Sequence, residues 1–143
     1  MIYLLNVSAL LALGFANHEF HARFTAWLDR LAKDGLPEFA TCSITELGFV
    51  RILSQTGHYG IHIPVEEARR LLLRLKSSRE LHWTSISDRN DISQLPRSKY
   101  ARQVTDAHLA QLAKSNGAVL ATLDRRIPWR TVDSLVFPPS RFE

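Results

Sequence analysis

The chain has 143 residues, of which 45% are hydrophobic and 22% are charged. These values lie close to the average for folded globular proteins and exclude a disordered or fibrous chain. A domain of this length buries about two-thirds of its unfolded surface, so we expect one domain over residues 1–143. The net charge of +4 and the pI near 9.6 favour a polyanionic partner without identifying one.

The cysteine content and the apolar start of the chain bear on its location. Cys42 is the one cysteine, so no internal disulfide can form, which favours a reducing compartment such as the cytoplasm. The apolar run from Met1 to Ala16 lacks the basic start of a secretory signal and is too short to span a bilayer. A buried strand that leads into a helix explains the same residues, so we expect no membrane segment.

Buried strands and amphipathic helices are predicted to alternate in the first half of the chain. Ile2 to Leu5 has the pattern of a buried strand, Ser8 is expected to cap a short helix, and Gly14 is expected to end it. Further elements are predicted as a helix from about His18 to Lys33, a strand from Glu38 to Cys42, a helix from Ser43 to near Gly57, and a helix from Pro64 to around Ser78.

The second half continues the alternation after a polar loop. The predicted elements are a strand from Leu81 to Ile86, an irregular stretch from Ser87 to Ser98, a helix from Val104 to Ser115, a strand from Ala118 to Leu123, and a fifth short strand from Ser134 to Phe137. Such an order predicts an α/β protein in which a parallel sheet of four to five strands has helices on both faces.

Four side chains share one position relative to the predicted strands. Asn6 and Asp124 lie at the carboxyl ends of strands, and Glu46 and Asp106 lie in the first turns of helices. Parallel sheets bind ligands at the carboxyl ends of their strands, so these side chains are expected to converge at one rim. Carboxylates brought together in this way can hold Mg²⁺ or Mn²⁺, and the ion can activate water and stabilise a phosphoryl transition state.

Each acid by itself also has a purely structural explanation. Ser43 to Glu46 has the pattern of a capping box, in which the glutamate reaches back to the cap. Asp106 would be favoured by the helix dipole, and Asp124 could cap the element that follows its strand. The joint placement of the acids on one rim is what favours a functional interpretation.

Four short motifs surround the four side chains in chain order. They are Ile2 to Leu10, Thr45-Glu46-Leu47, Thr105-Asp106-Ala107-His108-Leu109-Ala110, and Thr122-Leu123-Asp124. Together they resemble the motifs of the PIN-domain ribonucleases, which normally have an aspartate at the position of Asn6. The match covers nearly the whole chain, and its length and layout resemble the VapC-type toxins of toxin-antitoxin pairs. The resemblance implies a three-layer α/β/α sandwich, Mg²⁺ or Mn²⁺ at the acidic rim, cleavage of RNA, and a homodimer inhibited by a small antitoxin.

Asn6 departs from the pattern of this family at its first acidic position. An amide has nearly the shape of a carboxylate but is neutral. One unit charge that faces a divalent ion at about 4 Å is worth roughly 8 kcal/mol before desolvation at an effective dielectric near 20. We therefore expect weak metal binding and reduced cleavage, whether the substitution is engineered or natural. The alternative is a non-catalytic PIN-like module that binds RNA or protein.

Other residues near the acids are candidates for supporting roles. The Thr122 hydroxyl, two residues before Asp124, is expected on the same face of the strand, where it could bond a metal-bound water. Basic residues on both sides of the rim could hold RNA phosphates, although solvated surface charge explains them equally well. These basic residues are Arg97, Lys99, Arg102, Arg125, Arg126 and Arg130.

Overall fold

The computed structural model describes residues 1–55 and 63–123. Within these ranges the elements are β1 (Ile2–Leu5), α1 (Val7–Gly14), α2 (His21–Ala32), β2 (Glu38–Thr41), α3 (Ser43–Ser54), α4 (Val65–Lys76), β3 (His82–Ser85), α5 (Val104–Ser115) and β4 (Ala118–Ala121). The four strands of this described part form one parallel sheet in the order β3-β2-β1-β4. β1 is therefore central, and its carboxyl end lies between those of β2 and β4.

Helices cover both faces of the sheet. Successive side chains of a strand point to opposite faces, and both faces of β1 are buried. Leu5 belongs to a hydrophobic cluster that includes Phe24 of α2 and Phe49 of α3, whereas Leu4 packs in a second cluster with Leu109 of α5. The first four helices thus lie on one face and α5 on the other, which confirms the three-layer α/β/α sandwich predicted from the sequence.

The apolar start of the chain is divided between β1 and α1, as predicted. Leu4 and Leu5 are fully buried in the strand, and Leu10 is fully buried in the helix. A parallel strand covered on both faces needs such an uninterrupted apolar run. Within residues 1–55 and 63–123, no helix has the length and apolar character required to cross a membrane.

Several element boundaries differ from the predicted ones. α2 begins at His21 instead of His18, because the His18 imidazole accepts the Phe20 N–H and stabilises a turn before the helix. β2, β3 and β4 are shorter than predicted, since ladder pairing ends where the neighbouring strand ends, as at the pair Thr41 and Ser85. α5 spans the residues predicted for it. α3 ends at Ser54, three residues before the end predicted near Gly57. The predicted fifth strand lies outside the described residues.

The predicted loop from Ser87 to Ser98 is mostly irregular but contains one short 3-10 turn, Ile92–Gln94. Asp91 caps this turn, and hydrogen bonds from the Ser93 hydroxyl and backbone N–H lower the pKa of the Asp91 carboxyl. Nε2 of His108 is paired with the Asp88 carboxylate. The loop is therefore attached to α5, the helix that carries Asp106.

Candidate active site

Asn6 lies at the carboxyl end of the central strand and caps α1. Its Oδ1 accepts a hydrogen bond from the Ala9 backbone N–H at 2.9 Å and another from the Ser8 hydroxyl at 2.9 Å. Asn6 is only 4% exposed. The prediction that Ser8 caps this helix is therefore wrong, because β1 ends at Leu5 and the first residue after it, Asn6, occupies the cap position.

The cap fixes the orientation of the Asn6 amide. Because Oδ1 must accept the Ala9 N–H, the NH₂ group faces the opposite way, toward α5 and the end of β4. Nδ2 donates to Thr122 Oγ1 at 2.8 Å and lies 3.4 Å from Asp106 Oδ1. The structure thus brings together Asn6, Asp106 and Thr122. The role predicted for the Thr122 hydroxyl, bonding a metal-bound water, stays a prediction, and here this hydroxyl accepts from the amide.

A cavity of about 600 Å³ opens next to the Asn6 amide. Among the described residues its polar lining comes from Asn6, Ser8, His18, Glu19, Arg51, Thr105 and Asp106, and its apolar lining includes Leu11, Phe20 and Leu109. Its size falls within the range of small-ligand sites, and it combines two acids, an imidazole and a guanidinium with an aromatic ring.

Arg51 and His18 line this cavity, although the sequence did not single them out. For Arg51 the sequence does contain an indication, which is the glycine at position 48. Gly48, in the interior of α3, lets that helix approach α1 closely, since a Cβ at Gly48 would lie 2.6 Å from Val7 Cγ2. Arg51 follows Gly48 by nearly one helical turn and so lies beside the site. For His18, in the turn before α2, the sequence carries no comparable signal.

Glu46 has different neighbours from Asp106. Its Oε2 accepts from the Thr41 hydroxyl at 2.5 Å and from Lys76 Nζ at 2.8 Å. The side chains of Lys76 and Glu46 are 24% and 30% exposed. Glu46 is not among the described residues that line the cavity beside Asn6. No sequence pattern indicated Lys76 as a partner of Glu46, because the two residues are 30 positions apart in the chain.

The capping explanation of Glu46 is wrong in the form in which the sequence suggested it. β2 ends at Thr41, so Cys42 becomes the cap residue of α3, and Thr45 returns its hydroxyl to the Cys42 N–H at 3.1 Å. The capping box is therefore displaced by one residue from Ser43 and Glu46. As a result, the Glu46 carboxylate does not serve the helix end and is available for contacts with other elements.

The three predicted RNA-binding residues that the structure describes are all exposed. Arg97 and Lys99 belong to the segment before α5, and Arg102 lies in the short 3-10 turn Ala101–Gln103. The Arg102 guanidinium is 4.5 Å from the centroid of the Tyr100 ring, and Lys99 Nζ is 5.4 Å from it. The segment that leads to Asp106 thus presents positive charge and one aromatic ring to solvent.

Several predicted site residues lie outside the described residues. These are Asp124, Arg125, Arg126 and Arg130. In the ranges 1–55 and 63–123, no three His, Cys, Asp or Glu side chains are close enough together to hold a metal ion. Moreover, an amide NH₂ faces Asp106 and an ammonium group faces Glu46. The described residues therefore do not fit a divalent cation as they stand, because hydrogen-bond donors meet both carboxylates.

These features define a class of protein, a three-layer α/β sandwich with polar side chains gathered at the carboxyl ends of parallel strands. The chain belongs to the PIN-domain family, since the model of the PIN domain matches residues 3–133.

Curated relatives from Mycobacterium tuberculosis agree with this assignment. Ribonuclease VapC38 is 37% identical over 125 residues, which cover 85% of this chain and 84% of that protein. Ribonuclease VapC29 is 33% identical over 141 residues, which cover 98% of each chain. VapBC2 from Rickettsia felis, solved in a crystal bound to a DNA fragment from their promoter, is 20% identical. It superimposes with a TM-score of 0.55 over 92% of this chain and 96% of that chain, a likeness of fold alone.

Proposed function

We propose that this chain is a metal-dependent endoribonuclease toxin of the VapC type, which hydrolyses RNA phosphodiester bonds and is neutralised by a small cognate antitoxin. Support comes from the family, because the PIN match covers residues 3–133 and relatives that align with most of the chain are named ribonucleases. The structural neighbour VapBC2 motivates the antitoxin as a partner.

The proposed cofactor is Mg²⁺ or Mn²⁺, held by Glu46, Asp106 and Asp124. Ribonucleases of this family generally use divalent metal ions. The observation that carries our proposal for this chain is the orientation of Asn6, whose NH₂ group is directed at Asp106 by the helix cap. An N–H donor repels a cation where the family has a carboxylate, so we propose that metal binding is impaired and cleavage is reduced.

The proposed substrate is RNA in a single-stranded or looped form. Arg51 and His18 line the cavity beside Asp106, and Arg97, Lys99 and Arg102 supply exposed positive charge on the approach to α5. Cationic side chains hold phosphates without selecting a sequence. The proposed contribution of the chain's own residues is therefore to bind the RNA backbone and to present one phosphodiester to the carboxylates.

A homodimer in the cytoplasm is the proposed state of the protein. Leu47 and Val65 are exposed apolar residues, and both line a surface groove of α3 together with Ile44. Apolar side chains gathered in this way are common at subunit interfaces. Cys42 is buried as a free thiol, which suits a reducing compartment.

A non-catalytic PIN-like module that binds RNA or protein is the second candidate. The observation in its favour concerns Asp106 and Glu46, the two acids of the proposed metal site that the structure describes. Asp106 already faces the Asn6 amide N–H, and Glu46 already accepts from the Lys76 ammonium group. An arrangement that is satisfied without a metal ion needs no cofactor to remain folded. The two candidates differ in whether an aspartate at position 6 is sufficient to produce cleavage.

The test compares RNA cleavage by the present chain and by Asn6→Asp at several Mg²⁺ and Mn²⁺ concentrations. A carboxylate at position 6 supplies the missing charge, so we expect the initial rate to rise by at least about tenfold, the effect of roughly 1.4 kcal/mol. The matched control is Asn6→Asp combined with Asp106→Asn, which should return the rate to that of the parent.

Two results would contradict the proposal in different ways. Equal and robust cleavage by the parent and Asn6→Asp would mean that Asn6 does not impair the enzyme. No cleavage of any RNA by Asn6→Asp, with RNA still bound, would favour the non-catalytic module.

A further inference from the structure

The pairing of Lys76 with Glu46 points to a built-in competitor for the metal. We infer that the Lys76 ammonium group occupies the Glu46 carboxylate in place of a divalent cation, so that metal binding requires this ion pair to open. The inference rests on the proposed function, since it concerns regulation of the same site. It assigns to Lys76 a role that the motifs of the family resemblance do not include.

The geometry of the contact supports direct competition. Thr41 Oγ1 and Lys76 Nζ both approach the same carboxylate oxygen, Oε2, at 2.5 and 2.8 Å. These two donors occupy the lone pairs of the oxygen, which a cation would need for coordination. A divalent ion that approached this oxygen would also meet the ammonium group at short range, where like charges repel strongly.

Lys76 belongs to a helix that is packed against the core. Lys76 is the last residue of α4, and the buried Leu72 anchors that helix to the core. The preceding residue, Leu75, packs near Phe49 of α3, since both would contact a Cβ placed on Gly14. A cation at the carboxyl end of a helix is also favoured by the helix dipole. Lys76 is therefore held at this position independently of Glu46.

The partial exposure of the pair makes it able to open. The Lys76 side chain is 24% exposed and the Glu46 side chain 30% exposed, so the ammonium group can exchange the carboxylate for water. A pair in such a position is weaker than a fully buried one. The lysine would thus lower the affinity for metal without preventing binding altogether.

The experiment measures Mn²⁺ affinity in the Asn6→Asp background by electron paramagnetic resonance of the free ion. Lys76→Gln removes the competing charge, and we expect the dissociation constant for Mn²⁺ to fall by about tenfold, which corresponds to about 1.4 kcal/mol. Lys76→Arg keeps a cation that can pair with Glu46 and should bind Mn²⁺ like Asn6→Asp alone.

Arg74→Gln is the matched control for net charge. Arg74 is an exposed cation in the same last turn of α4. Its substitution by glutamine removes one positive charge, as Lys76→Gln does. We expect Arg74→Gln to alter the dissociation constant by less than about twofold, because Arg74 is exposed and solvent and salt screen exposed charges. If Lys76→Gln fails to tighten Mn²⁺ binding, or if Arg74→Gln tightens it equally, the competition is overturned.

A second measurement tests the ion pair without any metal. In the present chain, Glu46→Gln should reduce the stability to urea less when Lys76 is already glutamine than when it is lysine, and additive losses would overturn the pair.

Failure of the proposed function has a different signature, namely no Mn²⁺ binding and no cleavage by Asn6→Asp. If Lys76→Gln adds no Mn²⁺ binding to that inactive protein, the inference fails with it.

Discussion

Asp106 and Glu46 both meet nitrogen donors, but the two donors differ in how firmly they are held. Asn6 as a residue is 4% exposed, and the orientation of its amide is determined by the Ala9 N–H at the start of α1. The Lys76 ammonium group lies at the tip of a long side chain, which is 24% exposed and belongs to the last residue of α4. The amide is therefore a permanent part of the fold, whereas the ammonium group can leave by a change of rotamer. Removing the donor from Asp106 therefore requires a substitution of Asn6, whereas removing the donor from Glu46 requires only a movement of the Lys76 side chain.

The largest effect on stability is expected for Asn6→Ala, which would break the more rigid of the two contacts. The substitution removes the cap from the Ala9 N–H and leaves the buried Thr122 hydroxyl without its donor at position 6. We expect the free energy of unfolding in urea to fall by about 2 to 3 kcal/mol.

The matched control for this substitution is Asn116→Ala. Asn116 is an exposed asparagine whose amide donates to the Leu112 carbonyl at the end of α5, at 2.8 Å. Its loss should cost less than about 1 kcal/mol, because water can replace an exposed partner. Equal losses for the two alanine variants would mean that Asn6 contributes only a generic hydrogen bond.

A smaller effect is expected from the two threonines that support these contacts. Thr122 accepts from the Asn6 amide, and Thr41 donates to Glu46, and both threonines are fully buried. Replacement by valine keeps the shape and removes the hydroxyl. Thr122→Val should cost about 1 to 2 kcal/mol and Thr41→Val about 1 kcal/mol, since the partly exposed Glu46 keeps Lys76 and access to water.

Urea unfolding of both valine variants, measured side by side, checks this order. A larger loss for Thr41→Val would reverse the comparison, and it would mean that the Glu46 end of the site is the more rigid one.

The smallest effect on stability is expected for Lys76→Gln in the present chain. A partly exposed ion pair contributes less than about 1 kcal/mol, and salt screens part of this contribution. The difference in unfolding free energy between the parent and Lys76→Gln should therefore shrink when urea unfolding is repeated in 1 M NaCl, a salt concentration with a Debye length of about 3 Å. A difference that does not depend on salt would indicate a packing role for the lysine stem.

Much of the fold could be predicted from the sequence because apolar periodicity is a local property. The helix over Val104–Ser115 and the strand that begins at Ile2 follow directly from spacing, and their alternation predicts the parallel sheet. The prediction that Asn6 and Asp106 lie near one another also follows, since the ends of parallel strands meet at one edge.

The details of the site could not be predicted because they depend on where pairing stops and on distant contacts. Ser8 and Asn6 are both good cap residues, and only the end of β1 at Leu5 selects Asn6. Likewise, the end of β2 displaces the capping box from Ser43 to Cys42. The contact between Glu46 and Lys76 joins α3 to α4 across 30 positions, and no local pattern predicts such a pair.

The most direct test of the central claim is a Mn²⁺ titration of the present chain beside Asn6→Asp. The carboxylate keeps one oxygen for the Ala9 N–H and turns the other toward Asp106, so the two acids repel each other unless a cation lies between them. We expect Asn6→Asp to bind Mn²⁺ at least about tenfold more tightly than the parent, a difference of about 1.4 kcal/mol. Equal affinities would contradict the claim that the Asn6 amide impairs metal binding.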